Sequence, residues 1–323
     1  MHPNDEQNIR AWAARQSTPV TITAARAEGD ADRRLERFCA EIQTLIPDLR
    51  IATGDNDPFR APALIIGRHR NIAYQAVPEG AELPPFLTGL EGAGGGTGDL
   101  PPDLKDWRDR MALPVELTLF IAMQCPHCPR EADRLVRLCA ATPKIRLAVV
   151  DGHLFADQAA AHGIRAVPTL LLDGQMRWSG AIDLPDVIRQ CLRRDPARLS
   201  VSGLRQLLEA GEAPRAAAMM IDHGSIFPSL LPLLTHERWS VRLGAMVVVE
   251  YLVEAMPSLA VSLIAPLRRQ FDRLLPRVQG DVVQVLGQID DSAARRCLQA
   301  IADGDFAADV KAAAAEELEN RSS

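Results

Sequence analysis

Residues 120–140, "FIAMQCPHCPREADRLVRLCA", decide how the chain is read. An apolar run ends at Ala122, two cysteines follow at positions 125 and 128, and a charged, helix-like stretch carries Leu135, Leu138 and Cys139 on one face. A cysteine pair three apart can hold a metal, exchange electrons or fill space. A closed metal site needs four ligands. Cys125, His127 and Cys128 cluster, but no second C-x-x-C or H-x-x-x-H accompanies them, so no metal site is expected. Inert packing is a poor fit as well, because Cys125 lies at the helix start and off its apolar stripe.

Redox chemistry suits the pattern. The attacking species in disulfide exchange is a thiolate, and the unfilled N–H groups at a helix N-terminus favour negative charge there. The spacing predicts Cys125 at the N-cap, Pro126 at the first helical position and Cys128 one turn inside, where it can resolve a mixed disulfide. His127 adds a polar or positive group between the sulfurs and modulates the thiolate with Pro126. The strand before the pair carries no late carboxylate to take a proton from Cys128; Glu116 is at its far end, which leaves water or Glu131.

Working outward, residues 113–194 read β-α-β-α-β-β-α, with Asp173-Gly174 as a hairpin turn and Asp183 as a helix cap. Residues 18–92 read β-α-β-β-β-α: "TPVTITAA" as a strand, a helix with Leu35, Phe38, Ile42 and Leu45 on one face and Asp30 as its cap, and a hairpin around "RHR". "APALIIG" and "VPTLLLD" both put proline at the head of an apolar strand followed by a hairpin, so the second unit looks like a duplicate of the first. Only the second has the cysteine pair. Residues 93–112 join them as a Gly-rich linker and short helix; "GAGGGTG" matches no phosphate-binding spacing. From 195 to 323 strand signals vanish. Val241, Val278 and Val310 recur 37 and 32 residues apart in apolar helices, a period typical of stacked helix pairs.

The 323 residues carry a net charge of -6, which disfavours general nucleic-acid binding. The polar start lacks a signal-peptide core and no apolar run is long enough to span a bilayer, so a cytoplasmic location and no membrane association are expected. A reducing compartment disfavours structural disulfides, and Cys39, Cys139, Cys191 and Cys297 read as small core residues.

"CPHC" followed forty residues on by "AVPTLLLDG" resembles a thioredoxin-fold domain. The resemblance implies a cis proline at Pro168, with Val167 and Thr169 beside it, presenting backbone to an incoming peptide. An inactive unit preceding an active one is similar to the tandem protein disulfide oxidoreductases and to the N-terminal domain of the flavoprotein subunit of alkyl hydroperoxide reductase. No flavin-binding region follows here; helices resembling HEAT repeats only loosely take that place. The fold class is therefore α/β plus all-α: two tandem thioredoxin-like units followed by a HEAT-like α-solenoid. The function implied is thiol–disulfide exchange through Cys125 and Cys128 with no cofactor beyond that disulfide, a protein client recruited by the helical array, and a reductase or other electron donor. A redox-sensing adaptor or scaffold, whose helical array is the main functional part, stands as the alternative, and a chaperone that uses the thioredoxin surface without turnover as a third.

Overall fold

The computed structural model describes residues 1–54, 59–92 and 100–320. Most of the glycine linker, 93–98, lies outside the described residues. The chain divides into two compact units, Met1–Arg194 and Asp195–Ser323.

In the first unit the elements run α1 (Pro3–Ala13), β1 (Thr21–Ala25), α2 (Asp30–Leu45), β2 (Arg50–Thr53), β3 (Ala63–Ile66), β4 (Ile72–Gln75), α3 (Leu83–Glu91) and α4 (Trp107–Arg110). Then come β5 (Val115–Ile121), α5 (Cys128–Ala140), β6 (Ile145–Asp151), α6 (Ala156–Ala161), β7 (Thr169–Leu172), β8 (Met176–Ser179) and α7 (Leu184–Leu192). The eight strands form one sheet in the order β2-β1-β3-β4-β6-β5-β7-β8. The weld between the two halves is β4 against β6, parallel, with Ile72 opposite Leu147 and Tyr74 opposite Val149.

Asn71 secures that weld. Its Nδ2 donates to the carbonyls of Cys139, Thr142 and Ile145 at 2.9, 3.0 and 2.6 Å, and its own backbone carbonyl accepts from Leu147 N–H at 2.8 Å. One side chain from the first half thus satisfies carbonyls left open at the end of α5. A single apolar core runs through both halves, from Ile9, Phe38 and Phe86 to Leu117, Leu135 and Ile188. Phe86 sits edge-on to both Phe38 and Tyr74 with ring centroids 5.5 and 5.1 Å away. Gly89 lets α3 come close to β3 and α5, since a Cβ there would meet Ile66 Cδ1 at 2.7 Å and Val136 Cγ1 at 3.4 Å.

Local grammar is kept in most places. Leu35, Phe38, Ile42 and Leu45 are buried along α2, Asp183 caps α7 by accepting from Asp186 N–H, and Asp173 and Gly174 both take positive φ in the β7–β8 turn. Asp30 differs from its reading as a cap: Gly29 holds that position, and Asp30, as the first helical residue, pairs with Arg33 and Arg34. The polar start, outside the 18–92 unit expected from the sequence, forms α1 and buries Ile9 and Trp12 against the shared core. Cys39, Cys139 and Cys191 lie in that core; Cys297 is half-buried.

The second unit is helical among its described residues. It runs α8 (Val201–Glu209), α9 (Ala213–His223), α10 (Leu230–Leu234), α11 (Trp239–Ala255), α12 (Pro257–Val261), α13 (Ile264–Phe271), α14 (Pro276–Gln288), α15 (Ser292–Ala302) and α16 (Ala308–Asn320). Helix α11 packs on α8, α9 and α10, and α14 packs on α15 and α16. Buried Arg242 joins the two sets by donating to Asp281 of α14 and to the carbonyls of His236 and Glu237. Among the described residues, no helix of the chain is long and apolar enough to cross a membrane.

A shared core makes the two halves of the first unit one cooperative block. Phe86→Ala should lower its stability by about 3–5 kcal/mol, with probes in both halves melting together; separate transitions for the halves would contradict this.

Candidate functional site

The central strand β5 ends at Ile121, and the chain turns sharply before α5. Ala122 O accepts from Cys125 N–H at 2.9 Å, and Cys128 N–H donates to Cys125 Sγ at 3.2 Å. The regular helix begins at Cys128, with His127 at the cap position, so Pro126 lies in the turn and not in the first helical position. Pro129 fills the first turn instead, where a missing N–H is harmless. The bond expected of a capping Cys125, from an N–H three residues on, is nonetheless made.

The two sulfurs live in different surroundings. Cys125 is half-buried, Cys128 fully buried, and Pro126 and His127 are not buried. Burial pushes the Cys128 thiol well up from its ordinary value, helped by its hydrogen bond with Cys125 and by the negative potential of Glu82. Cys125 Sγ lies 3.8 Å from Val167 O. The Val167–Pro168 peptide is cis, Pro168 and Thr169 are buried, and Val167 is half-buried. Thr169 Oγ1 donates to Ala166 O at 2.8 Å and lies 2.9 Å from Ser179 Oγ, while Gly180 N–H donates to Pro168 O at 2.9 Å. These bonds tie the Val167–Pro168 corner to both strands of the β7–β8 hairpin. Cys125, Cys128, Val167, Pro168 and Thr169 are therefore brought together.

Glu131 is otherwise engaged: its carboxylate pairs with Arg134 at 2.8 Å. The residue that sequence reasoning missed is Glu82. It sits in the 3₁₀ turn Gly80–Glu82 just before α3, and that turn packs on α5. Gly80, at φ 58°, is positioned by Asp5 of α1, whose Oδ2 accepts the Gly80 N–H at 2.9 Å. Glu82 is 1% exposed, and neither carboxylate oxygen has a hydrogen-bond partner among the described residues. Burial, with a smaller contribution from Asp151, raises its pKa to about 7. Buried Tyr74 feels the same carboxyl, its hydroxyl also unpartnered among the described residues and held neutral by burial and by the carboxylates of Glu82 and Asp133. A signal existed in the sequence: Glu82 lies four residues before Phe86, on the face of "AELPPFLTGL" that buries.

The first half lacks this chemistry but keeps its frame. A cis peptide, Ala61–Pro62, precedes β3 as Val167–Pro168 precedes β7. Where the second half has its dithiol, the first has an ion cluster: Arg26 is bidentate to Asp32 and reaches Glu36 at 3.0 Å.

A strand, a C-x-x-C turn on a helix and an adjoining cis-proline strand define a thioredoxin-like unit. Residues 115–193 match the family model described as a thioredoxin domain. Among curated proteins, the chain is similar to an alkyl hydroperoxide reductase component of Pseudomonas aeruginosa, 24% identical over 225 residues, covering 68% of this chain and 43% of that protein. The corresponding Escherichia coli protein is 20% identical over 225 residues, covering 68% and 43%. The chain thus spans under half the length of these relatives. Solved structures that align with it include the N-terminal domain of the Enterococcus faecalis alkylhydroperoxide reductase component, with 20% identity and a TM-score of 0.49 over 59% of this chain and 99% of that one. A protein disulfide oxidoreductase from Aeropyrum pernix gives 15% identity and a TM-score of 0.49 over 62% and 97%.

The burial pattern can be checked in two ways. On the folded, reduced protein, iodoacetamide should label Cys125 well before Cys128, Cys139 or Cys191, read by peptide mass spectrometry; equal labelling of Cys128 would contradict the site. Glu82 binds its proton more tightly folded than unfolded, so its contribution to stability is present in acid and is lost as pH rises from about 4.5 through about 7. Relative to Glu82→Gln, the wild type should therefore lose stability between pH 5 and pH 8, by up to about 3 kcal/mol, in urea titrations of the reduced protein.

Proposed function

We propose that this protein is a thiol–disulfide oxidoreductase acting through Cys125 and Cys128. The observation that carries the reading is the asymmetric pair: a half-buried sulfur accepting an N–H bond, next to a fully buried one whose thiol is pushed up by burial and by the Glu82 carboxylate. In the reductive direction, the Cys125 thiolate attacks a client disulfide. The client S–S bond breaks, a mixed disulfide forms, and one client thiolate leaves and is protonated. The Cys128 proton then passes through water to Glu82, the Cys128 sulfur attacks the Cys125 sulfur of the mixed disulfide, the Cys125–Cys128 disulfide forms, and the second client thiolate leaves and takes up a proton. Two electrons have passed to the client, and a dithiol on a partner reductase restores the pair. Run backwards, the same steps oxidise a client dithiol. No bound cofactor enters these steps.

Val167 and Pro168 would hold the client backbone beside Cys125, with Thr169 bracing the corner, as strand-like peptide contacts do elsewhere. His127 and Pro126 sit in the turn, where a polar ring next to the sulfur favours its thiolate and so the reduced form. The second unit would recruit the client as a HEAT-like array of stacked helices. The cytoplasm suits a chain whose Cys39, Cys139 and Cys191 stay buried as thiols. The second reading, a redox-sensing adaptor, is favoured by the exposed Trp239, Leu243 and Tyr251 on one helix, α11.

Cys128→Ser should accumulate stable mixed disulfides with clients in extract, while Cys125→Ser traps none. Equal trapping by both would refute the assignment of roles, and a Cys125→Ser chain that still captures its partners without turnover would favour the adaptor. The rate of the resolving step should rise through an inflection near pH 7 in the wild type. That inflection should vanish in Glu82→Gln, with resolution slowed roughly tenfold or more; an unchanged profile would remove Glu82 from the mechanism.

A further inference from the structure

Glu82 can serve repeated turnovers only if its proton reaches solvent between rounds. Yet the carboxyl is buried and has no hydrogen-bond partner among the described residues. The surrounding chain offers an exit. A cleft of about 480 Å³ opens beside the redox turn. Val77 and Glu79 line it just before the turn that bears Glu82, Met123 lines it two residues before Cys125, and Asp151 and Leu154 complete that bank. The volume is far above the roughly 15 Å³ that one water needs. The far bank, on α2, carries Arg33, Arg34 and Arg37 with Asp30 and Glu41, so the cleft is wettable on both sides.

Asp151 stands where the cleft meets the interior. It closes β6, opposite Ile121 of β5, and the next residue, Gly152, donates its N–H to Ile121 O at 3.0 Å. On the other side, β4 ends with Gln75 opposite Val150, one position short of Asp151, and then runs on to Glu82. Alternation along β6 turns Asp151 to the face of Leu147 and Val149, which α5 covers. Asp151 is 7% exposed, and its charge adds to burial in holding the proton on Glu82. Its Oδ1 accepts from His153 N–H at 2.9 Å, and it makes no ion pair among the described residues. The neighbouring carboxylates are engaged elsewhere. Asp133 pairs with Arg137 at 2.8 Å, Asp30 with Arg33 and Arg34 at 3.6 and 2.7 Å, and Glu41 and Glu79 converge on the Met1 amino group at 2.9 and 4.0 Å. On the interior side, burial keeps Tyr74 and Cys128 neutral.

We propose that this cleft is the proton port of the redox site, with Asp151 as the positioning residue that draws cleft water to the Glu82 carboxyl. The Glu82 O–H bond breaks, water held by Asp151 takes the proton, and further cleft water carries it to bulk. Asp151 stays a carboxylate at the end, and no electron moves. The inference deepens the proposed function and rests on it for the need to empty Glu82 in each turnover, not for the route.

The test is a pH jump on the reduced full chain across the Glu82 inflection near pH 7, followed by time-resolved infrared absorption of the protonated carboxyl. Glu82→Gln identifies the band and separates it from that of Asp173, whose proton burial holds to about pH 6. Asp151→Asn, which can still accept from His153, should slow the relaxation roughly tenfold or more. It should also move the inflection to lower pH, because a like charge is lost. Asp151→Glu should restore the rate. A residue that only braced the fold would change stability and leave both readings alone. Leu154→Trp, which fills the cleft without removing a charge, should slow the relaxation and leave the inflection in place. Glu41→Gln, on the far bank, should change neither. Unchanged relaxation in Asp151→Asn overturns the inference, as does equal slowing by Glu41→Gln; should Asp151→Asn fail to fold, unchanged relaxation in Leu154→Trp does so. No thiol exchange enters this measurement. A chain that behaves as expected here but never forms the Cys125–Cys128 disulfide would strike the proposed function alone, while normal exchange with unchanged relaxation would strike the port alone.

Discussion

The pairing of β4 with β6 governs the first unit. Parallel strands need a long crossover, and here the crossover carries the junction between the halves. Once Tyr74 lies opposite Val149, the turn that follows β4 must pass over α5. That passage sets Glu82 near Cys128, packs Phe86 into the common core, and lets Asn71 close the end of α5. The half without the cysteine pair is therefore not a spectator. It supplies a buried carboxyl beside α5 and the hydrogen bonds that close the end of that helix.

The electrostatics follow from the same burial. A carboxyl without hydrogen-bond partners, far from water, is costly when ionised, so Glu82 keeps its proton to about neutrality. A thiol in the same low-dielectric interior keeps its proton further still. The Glu82 carboxylate adds to the rise of the Cys128 thiol by like-charge repulsion. Cys125 lies at the edge of this interior, half-buried and bonded to an N–H. The division into an accessible and an interior sulfur is thus a consequence of where the strand ends.

What the sequence makes legible is local. Cys125 and Cys128 announce themselves by spacing, Pro168 by its place before an apolar strand, and the core stripe of α2 by its period. The helix start is easily misplaced because two prolines, Pro126 and Pro129, both fit a first turn, and only the path of the backbone chooses between them. Glu131 draws attention because it is near in sequence, whereas Arg134 neutralises it. Glu82 lies more than forty residues from Cys128, and no one-dimensional pattern joins a glutamate in one copy to a cysteine in the other. The α1 helix is hidden for a related reason: only Ile9 and Trp12 are apolar enough to mark a buried face, and the surface that receives them is built from distant segments.

The most direct measurement is equilibration of the full chain in dithiol–disulfide buffers of graded potential, followed by peptide mapping. A single two-electron transition is expected, whose oxidised form contains the Cys125–Cys128 disulfide and leaves Cys39, Cys139 and Cys191 as thiols. A folded protein in which those two sulfurs never join across the whole range, or in which oxidation falls first on the other cysteines, would contradict it.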